Sequence, residues 1–241
     1  MKKITVSANL LKVLAVIAMI TDHTVALVLP YGSMLRLALR AFGRIAAPAM
    51  CFMIAEGYHY TSNRRRYLRR LVFFALISHI PYNLSMGFDL SPLKATSAIW
   101  ALAMGLTALM IVKNEKIHWL VRVGGLGACC LLAYTANWNY IAVLWIVAFG
   151  IFHGQRKKQL IAFTVIGIVF HLGQQFLPLL LGKVPLDNFR QWNQVGIFLA
   201  IPLLACYDGS RRCKSKVFSM CFYIIYPAHL LILYILKLFV L

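Results

Sequence analysis

Two titratable side chains adjoin at Asp22 and His23, inside an apolar run covering residues 9–30. A neutral imidazole takes up a proton near neutral pH, which is the work of a general base. A carboxylate beside it can pair with a cation or orient an imidazole. Charge at bilayer depth is costly, so such a pair marks a functional site by default. The structural alternative is a helix–helix hydrogen bond or a buried salt bridge. Adjacent residues on a helix point about 100° apart, so chemistry and anchoring are expected to be divided between the two.

The next apolar stretch, 34–60, carries Arg36, Arg40 and Arg44. At i, i+4 and i+8 they make one ridge on a continuous helix. Arg36 is placed to snorkel to the outer surface. Arg44 lies deeper and needs an anion, and Asp22 and Glu56 are the two carboxylates inside the apolar stretches. Asp22 and Arg44 fall at similar depths in antiparallel neighbours, which predicts a salt bridge. The same stretch ends in EGYHY, where Glu56 and His59 share a face three residues apart. The last stretch carries YIIYPAHLL, with Tyr226 and His229 spaced likewise and Pro227 removing a backbone donor, so a kink or a freed carbonyl is expected there. His79, His153 and His171 read as structural or interfacial.

The elements that must position these groups follow from composition. Of 241 residues, 61% are hydrophobic and 13% are charged, yet the net charge is +19. The mean hydropathy is +0.77. These values indicate a polytopic membrane protein. The fold expected is an all-α integral membrane bundle, a single domain over 1–241, in the cytoplasmic (inner) membrane. Nine apolar stretches lie at 9–30, 34–60, 67–87, 95–112, 119–134, 138–153, 159–181, 191–207 and 217–240. A span needs about 20 such residues, and continuous runs favour helices over a barrel. Stretch 119–134, with Gly124, Gly125 and Gly127, is the weakest of them.

Basic residues set the orientation. With the N-terminus inside, the inner segments hold Lys2, Lys3, Lys12, Arg64, Arg65, Arg66, Arg69, Arg70, Lys113, Lys116, Arg156, Lys157, Lys158, Arg211, Arg212, Lys214 and Lys216. The outer loops hold Lys94, Lys183 and Arg190. Because the basic residues fall between apolar runs, they argue topology, not a nucleic-acid partner. The run RRRYLRR at 64–70 fits either a headgroup anchor or a dock for an anionic phosphate. The six cysteines show no CxxC pair and no metal-ligand spacing, so no metal site is expected.

Three segments carry a family resemblance: LKVLAVIAMITDH, GRIAAPAMCFMIAEGYHYTSNRRRYLRRL and FYIIYPAHLLIL. Together they resemble the TraX family, polytopic membrane proteins associated with N-terminal acetylation of conjugative pilin. That family is similar to the wider acyltransferase-3-like membrane enzymes, whose first span carries a Lys or Arg, ten residues, then a His. Lys12 and His23 match this, and Arg40 and Arg44 are the counterparts of that group's arginines. The chain departs from the pattern at residues 46–48, where AAP lacks an aromatic before the proline. It departs again at 78–83, where His79 stands in place of an acidic residue.

The resemblance implies an acetyl-CoA-dependent acetyltransferase and no metal. Its acceptor would be an amine or hydroxyl on a pilin or other surface-protein N-terminus, a glycan, a lipid or a small molecule. His23 would be the base, Asp22 its anchor to Arg44, and Arg44, Arg40 or Tyr226 the stabiliser of transition-state charge. His229 would line the same site. Arg40, Arg44, Glu56, His59, Arg64, Arg65 and Arg66 would serve the cofactor, with Arg64–Arg70 meeting its phosphates. The rival reading is a proton-coupled membrane transporter using the buried Asp, Glu, His and Arg as a relay. The sequence shows no inverted repeat to support it.

Overall fold

The computed structural model describes residues 5–182, 192–210 and 216–239. Lys2, Lys3, Lys183, Arg190, Arg211, Arg212 and Lys214, used above for topology, lie outside the described residues. The secondary structure is helical, with no β-strand among the described residues. The elements are α1 (Ala8–Val28), α2 (Met34–Gly43), α3 (Ala46–Tyr60), α4 (Arg64–Met86), α5 (Ala98–Val112), α6 (Trp119–Leu132), α7 (Asn139–Ile151) and α8 (Arg156–Ile166). A π-helical turn (Gly167–Leu172), α9 (Gly173–Leu180), a 3-10 helix (Asn193–Leu199), α10 (Ala200–Ala205) and α11 (Lys216–Phe239) complete the chain.

Four helical segments are long and apolar enough to cross a membrane: Ala8–Val28, Met34–Tyr60, Arg156–Pro178 and Met220–Phe239. Helices α5, α6 and α7 are apolar but shorter, as is Asn193–Ala205. At 1.5 Å per residue, the 15 residues of α5 span about 22 Å, against a hydrocarbon core of about 30 Å. Each of the nine apolar stretches contains helix among its described residues.

The chain forms two compact units. The first holds residues up to Met50 together with Arg156–Ser215, and the second holds Cys51–Gln155 with Lys216–Leu241. The division falls inside α3.

In the first unit, α1 begins at Ser7, whose hydroxyl accepts the Leu10 N–H at 3.3 Å. That N-cap satisfies one of the helix's orphan donors. It ends at Leu29, just before Pro30, which cannot continue a helix. Leu10, Val13, Ile17 and Ile20 are exposed, while Leu11, Ala15, Ala18 and Asp22 are buried. These two sets repeat at helical spacing, so one face is apolar and open and the other is packed. Ser33 caps α2 by accepting the Arg36 N–H at 3.2 Å.

The stretch 34–60 is not one uninterrupted helix, contrary to the single ridge expected from its arginines. Arg44 closes α2 as its C-cap, and α3 starts at Ala46. Pro48 supplies the reason: it has no N–H to donate to the Arg44 carbonyl, and its ring crowds that carbonyl. Pro227, by contrast, sits within an uninterrupted α11. Chain ends of this unit are tied by Val6 and Tyr207, with Val6 N–H donating to the Cys206 carbonyl at 2.8 Å and Asp208 N–H to the Val6 carbonyl at 3.1 Å.

The second unit packs α4 on α5 and α11, and α5 on α6 and α7. Ala101, Ala103, Gly105 and Ala108 of α5 are buried. Such small residues let helices approach closely where no water-driven collapse operates. The loops before α5 and α7 are pinned by paired backbone bonds between Thr96 and the Thr135–Asn137 segment, at 2.9 and 3.1 Å.

Candidate functional site

Asp22 is the centre of a buried ionic cluster in the first unit. Its Oδ1 lies 3.3 Å from Arg40 Nη1, and its Oδ2 lies 3.7 Å from Arg44 Nη1. The first contact is an ion pair without an aligned N–H. The same Arg40 nitrogen donates to the Asp22 backbone carbonyl at 3.0 Å, so Arg40 grips both main chain and side chain. Side-chain exposure is 10–15% for all three residues. Two guanidiniums thus share one carboxylate in a water-poor setting, where each partner is essential to the others.

Gly43 makes the cluster possible. A Cβ at this position would lie 2.5 Å from Asp22 Cβ and 2.9 Å from Asp22 Cα. No side chain fits there, so α2 can rest directly on α1 and bring Arg40 and Arg44 to the carboxylate. Gly196 does the same for the 3-10 helix, where an added Cβ would run into the Ala41 backbone. That approach delivers Asn193, whose Oδ1 accepts from Arg44 Nε at 3.3 Å.

His23 is buried beside Asp22. His171, in the π-helical turn, is also buried, and its Nε2 lies 3.2 Å from Gln194 Oε1. π turns and 3-10 stretches inside longer helices recur at functional positions. Here two such irregular segments present His171, Asn193 and Gln194 within the unit that holds Asp22. None of these three stood out in the sequence as a site residue. Arg36 does not snorkel to the surface as expected. It is buried, donating Nη1 to the Leu29 carbonyl and Nη2 to the Ala26 carbonyl at 3.2 Å, with its guanidinium 3.9 Å from the Tyr31 ring centroid. The unsatisfied carbonyls at the end of α1 are therefore its partners.

The second unit holds the remaining candidates in two groups. Glu56 is buried, and its Oε1 lies 3.2 Å from His153 Nε2. The His153 ring stacks on His59, with centroids 3.9 Å apart and planes at 17°. His59 Nε2 donates to the Gly150 carbonyl at 3.0 Å. His153, read from the sequence as structural or interfacial, is thus the partner of Glu56. Its signal was available in principle: a buried carboxylate demands a partner, and a histidine follows α7 directly.

Arg64, Arg65 and Arg66 open α4 and are exposed. Arg64 Nε donates to the Tyr58 carbonyl at 3.3 Å, with the guanidinium 4.2 Å from the Tyr58 ring centroid. The first turn of α4 contains no acidic residue. Cations there oppose the positive end of the helix dipole, so an anion is favoured at this end.

Tyr226 and His229 meet edge-on, with ring centroids 5.5 Å apart. The Tyr226 hydroxyl accepts the Ala98 N–H at 3.2 Å. It therefore serves the start of α5, where Ser97 provides no side-chain cap of its own. His229 Nδ1 donates to the Ile225 carbonyl at 2.9 Å. His79 Nε2 donates to the Leu90 carbonyl at 2.8 Å, which fits a loop-holding role. Among the described residues, no group of three or more His, Cys, Asp or Glu side chains is arranged to hold a metal.

The chain is similar to the probable fimbrial assembly protein FimC, serogroup H1, of Dichelobacter nodosus, at 28% identity over 99% of this chain and 98% of that protein. No solved structure matches it. A family profile described as "TraX protein" matches residues 7–237, covering α1 with its Asp22–His23 pair, the Gly43–Arg44 turn and Tyr226–His229 of α11. The chain belongs to the TraX family.

Proposed function

We propose that this protein is a multi-pass inner-membrane acetyltransferase, with about nine spans and its N-terminus inside. It would transfer an acetyl group from cytoplasmic acetyl-CoA to an amine or hydroxyl. The observation that carries this reading is the buried Asp22–Arg40–Arg44 cluster with His23 on the adjoining position of α1. Stability alone does not account for it, since a buried ion cluster is often no better than apolar packing. Acyl transfer does. His23 takes the proton as the acceptor nitrogen or oxygen attacks the thioester carbonyl carbon. Negative charge then grows on the carbonyl oxygen, and Arg40 or Arg44 stabilises it as a preorganised cation. When the carbon–sulfur bond breaks, His23 can return the proton to the departing thiolate.

The exposed guanidiniums of Arg64, Arg65 and Arg66, on an α4 start without acidic residues, suit the phosphates of the donor. The name of the relative from Dichelobacter nodosus refers to fimbrial assembly. That favours the N-terminal amine of a fibre subunit as acceptor, ahead of glycans, lipids and small molecules.

The test is transfer from acetyl-CoA to a pilin-type N-terminal peptide by the purified full chain in liposomes, read by mass spectrometry. Wild type is expected to acetylate the peptide, and His23→Gln to lose about 100- to 10,000-fold in kcat, the range for a general base. Full transfer by His23→Gln overturns the assignment. Saturating CoA should also raise the melting temperature; a proton-coupled carrier would be indifferent to it.

A further inference from the structure

The helices of the second unit fall into two length classes. Helix α11 has 24 residues, enough for about 36 Å. Helices α5, α6 and α7 have 15, 14 and 13 residues, which give about 22, 21 and 20 Å. Tilt shortens the projection on the membrane normal, so these lengths are upper bounds. A hydrocarbon core is about 30 Å thick, and three successive helices fall about 8–10 Å short of it. Helix α4 is short in the same sense. Its arginines crowd into Arg64–Arg70, which leaves Leu71–Met86, about 24 Å, between those charges and the Gly87 C-cap.

Helices α5 and α6 cannot gain length by sliding, because their ends are tied flush. At one end Thr96 N–H donates to the Thr135 carbonyl at 2.9 Å, and Trp100 Nε1 donates to the Leu132 carbonyl at 2.8 Å. At the other, Arg122 Nη1 donates to the Val112 carbonyl at 3.5 Å. Polar residues follow at once on both sides. Lys113, Asn114, Glu115 and Lys116 are exposed beyond α5, and Thr135, Asn137 and Asn139 fill the turn into α7.

Helix α6 presents an open apolar face. Leu120, Val121, Val123, Leu131 and Leu132 are exposed. A Cβ added at Gly124 or Gly127 would meet nothing within 4 Å beyond its own helix backbone. Trp119 opens this helix and Tyr134 lies just past its end, and both are exposed. Trp and Tyr collect at the two water–membrane interfaces. Here they mark interfaces about 20 Å apart. Helix length and aromatic placement are independent of each other, and they agree on one thickness.

We propose that the second unit is built for a locally thin bilayer, in which short phospholipid chains cover the open face of α6. The two headgroup layers beside it stand about 20–24 Å apart. Short-chain lipid supplies that spacing without distortion, whereas longer chains must compress at a cost that rises with each ångström of mismatch. The inference rests on the multi-pass reading given above and on none of the acetyl-transfer chemistry. Where transfer operates, a thin unit brings the cytoplasmic and outer aqueous surfaces about 6–10 Å closer together.

Thermal unfolding of the full chain in vesicles of dimyristoleoyl-, dioleoyl- or dierucoyl-phosphatidylcholine reads the match, since these lipids share a headgroup and differ in chain length. The melting temperature is expected to be highest in dimyristoleoyl vesicles and lower by about 5 °C or more in dierucoyl vesicles. Equal melting temperatures, or a maximum in either thicker bilayer, overturn the proposal. Trp119→Cys and Tyr134→Cys, at exposed positions, are labelled in spheroplasts with a membrane-impermeant maleimide and mapped by mass spectrometry. One position should react in intact spheroplasts and the other only after disruption. Reaction of both from one side shows that α6 does not cross, which overturns the proposal and the nine-span arrangement together. A disulfide between two copies through Gly127→Cys puts a second copy, in place of lipid, on α6 and overturns it as well. Absence of acetyl transfer in every vesicle, with the thickness dependence intact, removes the acyl-transfer reading and supports this one.

Discussion

Asp22→Ala should be among the most damaging single substitutions in the chain. It leaves the guanidiniums of Arg40 and Arg44 buried, at 10–15% side-chain exposure, without the carboxylate they share. At separations of 3.3 and 3.7 Å, each pairing amounts to about 5 kcal/mol at an effective dielectric constant near 20. Dehydration of the ions and repulsion between the two arginines offset much of this. Stranding a buried charge by removing its partner costs about 3–5 kcal/mol. For a chain of this size that is a fall in melting temperature of about 6–20 °C, measurable by thermal unfolding in detergent. The informative comparison is the triple variant Asp22→Leu, Arg40→Met, Arg44→Met, which removes all the charge at similar volume. It should regain the lost stability, and even exceed wild type by about 1–4 kcal/mol, while losing acetyl transfer. An Asp22→Ala protein that melts within about 1 °C of wild type refutes the shared-carboxylate reasoning. So does a triple variant less stable than Asp22→Ala, because the cluster would then be a stabilising device.

Three further outcomes follow from single contacts. Gly43→Ala places a methyl carbon 2.5 Å from Asp22 Cβ, so α2 must lift from α1, at a cost of about 1–3 kcal/mol and with reduced transfer. Tyr226→Phe removes the hydroxyl that accepts the Ala98 N–H; a melting curve should show a loss of about 1–3 kcal/mol, with catalysis retained if the residue only supports α5. In the loop after α4, the Lys94 ammonium donates to Asp89 Oδ2 at 2.6 Å and holds the carboxyl below its ordinary value. A depressed acid stabilises above its unfolded pKa of about 4 and loses that contribution as pH falls through the folded value. Carboxyl NMR should therefore show Asp89 titrating below the ordinary range, and Lys94→Ala should move it up.

The salt bridge between Asp22 and Arg44 was readable in the sequence because a low-dielectric interior forces buried charges to pair. With two carboxylates inside the apolar stretches, the candidates were few. The same reasoning applied to Glu56 points toward His153, but that histidine lies in the turn after α7, and sequence distance hid the pairing. Asn193 was harder to find. It reaches Arg44 from 149 positions away, on a 3-10 turn whose periodicity differs from that of the helices around it. Arg36 stays buried because the open carbonyls of Ala26 and Leu29 at the end of α1 give its guanidinium partners without a reach to the surface. The helix break at Arg44 was encoded plainly in Pro48, whose missing N–H would have bonded to the Arg44 carbonyl.

The proposed acetyl transfer divides the labour between Asp22 and His23. Both oxygens of Asp22 face guanidiniums, so Asp22 could accept a proton only by giving up a partner and stranding a cation. A base must be protonated and deprotonated in every turnover, and that expense would fall on every cycle. His23 lies eleven positions after Lys12. Eleven residues make very nearly three helical turns, so the two project along one stripe of α1, about 16 Å apart. Asp22 falls on a neighbouring stripe with Leu11, the stripe that α2 covers at Gly43. The ten-residue spacer therefore aligns a cation and an imidazole on one line, while the carboxylate beside them is turned toward the arginines that hold it.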